Sequence, residues 1–381
     1  MLKFLEEELK RLKEAGLYRS LKTISKTDGR TIEINGKQYL NFCSNNYLGL
    51  ANHPKVIEAA QAACKEFGAG SGASRLISGN LVLHEELESK IARFKGRESA
   101  IVFPTGYMAN LGVITSLVDE KDTIIIDRLN HASIIDACRL SKAKLQVYPH
   151  KDTQALEKAL QKSEKYQHRL IVTDSIFSMD GDIAPLAEIV RLARKYEAIT
   201  MIDEAHATGV LGKTGRGIEE YFGVEGEVDI VMGTLSKALG SLGGFVAGST
   251  ELIDYLINKA RSFIYTTALP PSACAATIAA LEIIEAQPEL VDKLRINSRL
   301  LKGKLAISSS DDTPILPIII GDPKKTMKIS HLLFEKGYFI SGIRPPTVPE
   351  NESRLRITVS TTHSKEDLDC LASSLQELIL E

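Results

Sequence analysis

No surplus of either charge marks this sequence: 47 lysines and arginines stand against 49 aspartates and glutamates. That balance excludes the basic footprint of a nucleic-acid binder and the polybasic patch of a membrane-surface protein. Long apolar runs are missing too. The longest, such as ATIAALEII (276–284), fall well short of a membrane span. Cysteine is scarce and unpaired: Cys43, Cys64, Cys138, Cys274 and Cys370 contain no CxxC. A zinc or other metal site and a disulfide framework are therefore excluded. Reduced, mostly buried thiols in a cytoplasmic protein are expected. The phosphate loop GxxxxGK[ST] is absent, so DEAH (203–206) does not make a nucleotidase. No GxSxG elbow supports a serine hydrolase. GAGSGA (68–73) loosely matches a dinucleotide fingerprint. It follows the helix-like KVIEAAQAACKEF (55–67), where that fingerprint needs a strand. Neither internal repeats nor low-complexity segments occur.

What is present is alternation. At the start, Leu2, Leu5, Leu9 and Leu12 recur at helical spacing among mixed charges. An amphipathic helix is expected there rather than a targeting peptide. From about residue 98, short β-branched runs alternate with longer amphipathic stretches: ESAIVFP, TIIID, KLQVYP, RLIVTDSIF, ITMIDEA, VDIVMGTLS and GGFVAGS are β-like. Such alternation implies βαβ units and a mostly parallel sheet, which binds ligands at the carboxyl ends of its strands. A stretch from about 272 to 305 has few breakers and is expected as one long helix linking two domains. The tail reads strand, helix, two strands (YFISGI and RLRITVS) and helix, a compact α+β unit. The Pro-rich GIRPPTVPENES (342–353) is a rigid loop between those strands.

The polar candidates fall at the predicted strand ends. Ser178 follows RLIVTDSIF, Asp203 and His206 follow ITMI, and Lys237 follows VDIVMGTL between Ser236 and a run of small residues. Carbanion chemistry with pyridoxal phosphate needs such parts: an amine for a Schiff base, an acid for the ring nitrogen, and N–H groups at a helix start for the phosphate. Gly106 and Tyr107, opening a helix after AIVF, supply the last. Plainer readings compete. Asp203 suits a helix N-cap, Lys237 a surface, and His131 the first turn of a helix capped by Asn130. A scaffold subunit without activity is expected to lack the lysine or its acid, and both are present.

At NFCSNNYLGL (41–50), FGAGSGASRLISG (67–79), FPTGYMAN (103–110), DRLNHASIIDA (127–137), DSIFSMDGDIAPL (174–186), DEAHATGVLG (203–212), TLSKALG (234–240), IYTTALPP (264–271) and RLRITVS (354–360) the chain resembles the α-oxoamine synthases. The resemblance covers almost the whole length. It implies an α/β protein of pyridoxal-phosphate fold type I, like aspartate aminotransferase. A large domain with a mostly parallel seven-stranded sheet would occupy 46–285, after an N-terminal helix and short strands at 1–45 and before a small α+β domain at 286–381. It implies that Lys237 carries the cofactor and moves protons, Asp203 pairs with the ring nitrogen, and His131 stacks on the ring. His206 and Ser178 would meet the ring hydroxyl side. Gly106, Tyr107, Thr234 and Ser236 would hold the phosphate. Thr266 and Thr267 would reach the phosphate of a second subunit, so a homodimer is implied. Arg356 would bind the amino-acid carboxylate as a bidentate fork, ahead of Arg354 on the same strand face, with Asn45 assisting. Arg19 and Thr347 are candidates for the acyl-CoA side. The loop IRPPTVP (343–349) is similar to members that condense L-alanine with pimeloyl-CoA, or a pimeloyl carrier protein, for biotin. Members that use glycine and acetyl-CoA are the alternative, because one methyl of discrimination is worth only about 1–3 kcal/mol. The pattern departs at Ser175, where members often carry glycine.

Overall fold

The computed structural model describes residues 2–307 and 311–380. By contact density the chain divides into two units. The larger comprises 48–178 and 182–293, and the smaller 1–47, 179–181 and 294–381.

The larger unit is built on seven strands: β1 (Ser99–Phe103), β2 (Thr123–Asp127), β3 (Lys144–Tyr148), β4 (Arg169–Asp174), β5 (Ile199–Asp203), β6 (Ile230–Thr234) and β7 (Gly244–Gly248). Their order across the sheet is β1-β7-β6-β5-β4-β2-β3, and β7 alone runs antiparallel to its neighbours. The expected strands are present. Those in the middle are apolar at consecutive positions, as strands covered on both faces must be. Ile124, Leu170, Val172, Met201 and Met232 lie in one core with Val113 and Ile134 from the covering helices Gly106–Leu117 and Ala132–Ser141. Burying each such side chain contributes about 1.5–3 kcal/mol. Register brings the strand ends level: Asp174 pairs with Asp203, and Asp203 with Met232.

The glycines behind Lys237 answer to backbone. At Gly240, φ is 65° and a Cβ would fall 2.3 Å from the Ala51 nitrogen. At Gly244 a Cβ would fall 2.7 Å from the nitrogen and Cα of Gly106. Only glycine lets the lysine turn close against these segments.

The expected single helix from 272 to 305 is two, Pro271–Ala286 and Glu289–Lys304. Pro288 has no N–H and drives Gln287 out of the helical region, to φ −134° and ψ 64°.

In the smaller unit the helix Lys3–Glu14 has no buried residue. The strand expected at 338–343 is divided. Tyr338–Phe339 pairs parallel with Lys37–Asn41, whereas Ser341–Ile343 pairs antiparallel with Ser353–Thr358. The break falls at Ile340, whose carbonyl accepts from Ser330 Oγ at 2.6 Å and whose side chain is buried. Ile315–Gly321 completes the second sheet, and the helices Pro323–Glu335 and Lys365–Leu380 follow the expected pattern. All five cysteines are free thiols. Cys64 and Cys370 are exposed, contrary to the expectation of burial.

Candidate active site

A cavity in the larger unit is lined by residues at the carboxyl ends of β4, β5 and β6. Lys237 Nζ lies 2.8 Å from His206 Nε2. An ammonium has only donors, so it donates and the ring nitrogen accepts. The buried Asp203 carboxylate is held at both oxygens. Oδ1 accepts from the Ala205 N–H at 2.8 Å, and Oδ2 from Asn110 Nδ2 at 2.8 Å. A buried anion requires such donors.

His131, not Asn130, caps the helix Ala132–Ser141. Its Nδ1 accepts from the Ser133 N–H at 3.3 Å. Asn130 is engaged elsewhere: its Nδ2 donates to the Val172 carbonyl at 2.8 Å. The backbone N–H of His131 donates to Asp174 Oδ2 at 3.0 Å. Burial lowers the His131 imidazole below its ordinary value; Asp203 opposes that and Lys237 adds to it. Burial, and then the charge of Asp203, push the Asp174 carboxyl well above the usual carboxylate range. Asp174 is thus driven toward its neutral form.

The helix Gly106–Leu117 presents its first residues, Gly106 and Tyr107, to the same cavity. Thr105 caps it, accepting from the Met108 N–H at 3.1 Å. The opening N–H groups have no partner within the helix and carry its positive pole. A Cβ on Gly106 would meet Met232 Cε at 3.1 Å and Thr234 Cβ at 3.6 Å, so glycine lets these side chains pack close to the helix start. Tyr107 lines the cavity while its phenol donates to the Asp136 carboxylate. Ser178 and Thr234 line it as well. Thr234 Oγ1 donates to the Gly243 carbonyl at 2.8 Å. An amine, a fixed carboxylate at a strand end and a glycine-opened helix start fit pyridoxal phosphate, whose aldehyde, ring nitrogen and phosphate need those three groups.

Ser236 is placed differently. It closes its own turn, its Oγ bonding the Gly243 carbonyl at 3.2 Å and accepting from the Gly243 N–H at 3.1 Å. Thr266 and Thr267 follow the short helix Arg261–Ile264 and do not line this cavity.

In the smaller unit, Arg356 and Arg354 have different surroundings. Both Nη atoms of Arg356 lie 3.3 Å from Asn45 Oδ1, and Nη1 donates to Thr358 Oγ1 at 3.1 Å. The Tyr47 phenol, pushed up to about 12 by burial, donates to the same Asn45 oxygen at 3.2 Å. Arg354 is enclosed by carboxylates. It donates to Asp180 Oδ1 at 2.6 Å and to Glu352 Oε2 at 2.8 Å, with 1% of its side chain exposed. Arg19 and Thr347, far apart in sequence, meet: Arg19 Nη2 donates to Thr347 Oγ1 at 3.3 Å.

Asn110, Ser133 and Asp174 line the cavity but did not stand out in the sequence. Signals existed. Asn110 follows Gly106 by four residues and therefore shares its helix face. Asp174 ends β4 as Asp203 ends β5. Ser175 also gains an account: its Oγ donates to the Asp203 carbonyl at 2.8 Å, tying those two strand ends together.

The family model for aminotransferase class I and II matches residues 37–375. An 8-amino-7-oxononanoate synthase of Citrifermentans bemidjiense is 52% identical over 98% of this chain and 97% of its own length. Among solved structures, a serine palmitoyltransferase variant from S. paucimobilis with a bound PLP–myriocin aldimine superposes with a TM-score of 0.94 at 31% identity, covering 99% of this chain and 96% of that one. An 8-amino-7-oxononanoate synthase of Francisella tularensis gives 0.78 at 28% identity, covering 90% of this chain and 98% of that one.

Proposed function

We propose, for a chain that belongs to the class I and II aminotransferase family and within it to the α-oxoamine synthases, that it joins L-alanine to a pimeloyl thioester. The products are 8-amino-7-oxononanoate, carbon dioxide and the free thiol, in biotin biosynthesis. The observation that carries this is Lys237 beside His206 in a cavity floored by Asp203, in a chain 52% identical to a relative named for that product.

Pyridoxal phosphate supplies an electron sink that stabilises negative charge at the amino-acid α-carbon. The protein's part is positioning and proton movement. Lys237 Nζ would hold the cofactor and, once released from it, move the proton at that carbon. Asp203 keeps the ring nitrogen protonated. His131, which lines the cavity, would lie against the ring. The helix start at Gly106 and Tyr107, with Thr234, receives the phosphate. Arg356 binds the alanine carboxylate. Its charge is met by neutral Asn45 and Thr358 in the contacts above, whereas that of Arg354 is already matched by two acids. Arg19 and Thr347 receive the acyl thioester. We place Thr266 and Thr267 at the phosphate of a partner subunit in a homodimer, and the protein in the cytoplasm.

The test is thiol release, crossing L-alanine and glycine with pimeloyl-CoA and acetyl-CoA. Fast release only with L-alanine and pimeloyl-CoA is the expected result. Release only with glycine and acetyl-CoA would keep the cofactor chemistry and overturn the substrate assignment.

A further inference from the structure

The cavity contains a polar residue to which the chemistry above gives no part. Asn110 is 1% exposed, sits in an otherwise mostly apolar helix, and lines the cavity. Its Nδ2 donates twice, to Asp203 Oδ2 at 2.8 Å and to Ser133 Oγ at 2.9 Å. Its Oδ1 is buried and has no hydrogen-bond partner among the described residues. Most buried side-chain polar atoms have a partner, so a bare amide oxygen that lines a cavity calls for an account. This one is oriented by its other end. A carboxylate only accepts, so the amide nitrogen must face Asp203.

That orientation has a consequence one residue further on. Ser133 Oγ accepts from Asn110, which leaves its single proton for another acceptor. His131 Nδ1 lies 2.8 Å away. The Ser133 backbone N–H points at the same nitrogen, at 3.3 Å. Two donors directed at one ring nitrogen mean that it carries no proton, so a neutral His131 carries its proton on Nε2.

We propose that Asn110 is a positioning residue serving two catalytic groups at once: through Nδ2 it holds the Asp203 carboxylate, and through Ser133 it holds His131 as the tautomer with its proton on Nε2. One amide thereby touches both the ring-nitrogen partner and, together with the Ser133 backbone N–H, the tautomer on the ring face. This rests on the pyridoxal-phosphate reading of the cavity. The titratable groups lining the cavity around the chain of bonds are Tyr107, Asp174, His206 and Lys237 besides the two it joins.

The experiment uses holoenzyme carrying Asn110→Asp, Asn110→Ala or Ser133→Ala beside the unmodified protein. In Asn110→Asp the new side chain accepts from Ser133 and cannot donate to Asp203 as a carboxylate. The pH midpoint of the bound cofactor's absorbance is expected to move by about one unit. The kcat is expected to fall about 10- to 100-fold, as happens when the outer hydrogen-bond partner of a ligand is lost, with the thioester KM held within about 2-fold. In ¹⁵N-histidine-labelled protein, His131 is expected as the Nε2–H form in the unmodified enzyme, with its Nδ1 resonance displaced in Asn110→Asp, where only the Ser133 backbone N–H still donates to that nitrogen. If Asn110→Asp does not accumulate folded, Ser133→Ala breaks only the second leg. The His131 spectrum should then change while the absorbance midpoint stays put. A proton on Nδ1 of His131 in the unmodified enzyme overturns the proposal. So does an unmoved midpoint with unchanged kcat in Asn110→Asp or Asn110→Ala, or an unmoved His131 spectrum in Ser133→Ala. Absence of cofactor absorbance from the unmodified enzyme would instead sink the reading of the cavity itself.

Discussion

Lys237, Arg354 and Arg356 respond to truncation in different ways. Lys237→Ala removes the amine. Turnover should vanish, with no lysine adduct after borohydride reduction, while the unfolding temperature stays near that of the parent. A reducible adduct on another lysine would move the role. Arg356→Ala should raise the L-alanine KM about 10-fold or more, because a charge-assisted fork is lost. Arg354→Ala should act on stability instead. It strands Asp180 and Glu352, and although their outer oxygens reach solvent, a cost of about 2 kcal/mol is expected. Thermal unfolding and alanine kinetics on both variants separate the roles. A KM effect confined to Arg354→Ala would exchange them. From sequence the two arginines differ only by rank on one strand face. Asp180, which occupies Arg354, lies 174 positions away and no local pattern announces it.

Among the elements, β2 and the loop after β4 are clamped by a histidine from the loop after β3. His150 Nδ1 donates to Asp127 Oδ1 at 2.9 Å and Nε2 to Asp182 Oδ2 at 2.8 Å, with the ring edge-on to Phe177 at 4.4 Å. Burial alone would lower its pKa. The bonds to the two acids outweigh that and raise it to about 9. The folded-state value therefore lies above the unfolded one, near 6.5. The stabilisation is complete below that lower value and is lost as pH rises through the higher one. Urea midpoints of the parent and His150→Gln should thus differ most near pH 6 and converge by about pH 10. A gap that does not change with pH would mean that the ring is neutral throughout. The helices carry a related lesson. Breakers are few between 272 and 305, yet the single proline at 288 divides the stretch, since a missing N–H and a displaced preceding residue end a helix even where its neighbours favour one.

For the molecule as a whole, the proposed homodimer makes a prediction that single variants cannot test. Lys237→Ala and Thr267→Ala are each expected to be impaired. If Thr267 serves the partner's phosphate, a mixed dimer contains one intact site. Co-refolding equal amounts should then recover about a quarter of parental turnover, since half the dimers are mixed and each has one good site. No recovery would place Thr267 in its own subunit's site or outside any. Among the described residues no helix is long and apolar enough to cross a membrane.

The alternation of β-branched runs with amphipathic stretches determined the sheet, because burial on both faces demands consecutive apolar residues at each strand. The placement of Lys237, Asp203, His206 and Gly106 beside strand ends was legible for the same reason: in such a sheet, strand ends and ligand sites coincide. Tertiary structure alone decided which polar neighbours serve them. Asn110 reaches Asp203 across 93 positions, and His150 reaches Asp182 across 32. It also decided why Gly240 and Gly244 are glycines, since the atoms that forbid a side chain there belong to Ala51 and Gly106. Periodicity records which way a residue faces, whereas a hydrogen bond between distant segments depends on register and distance that only the folded chain supplies.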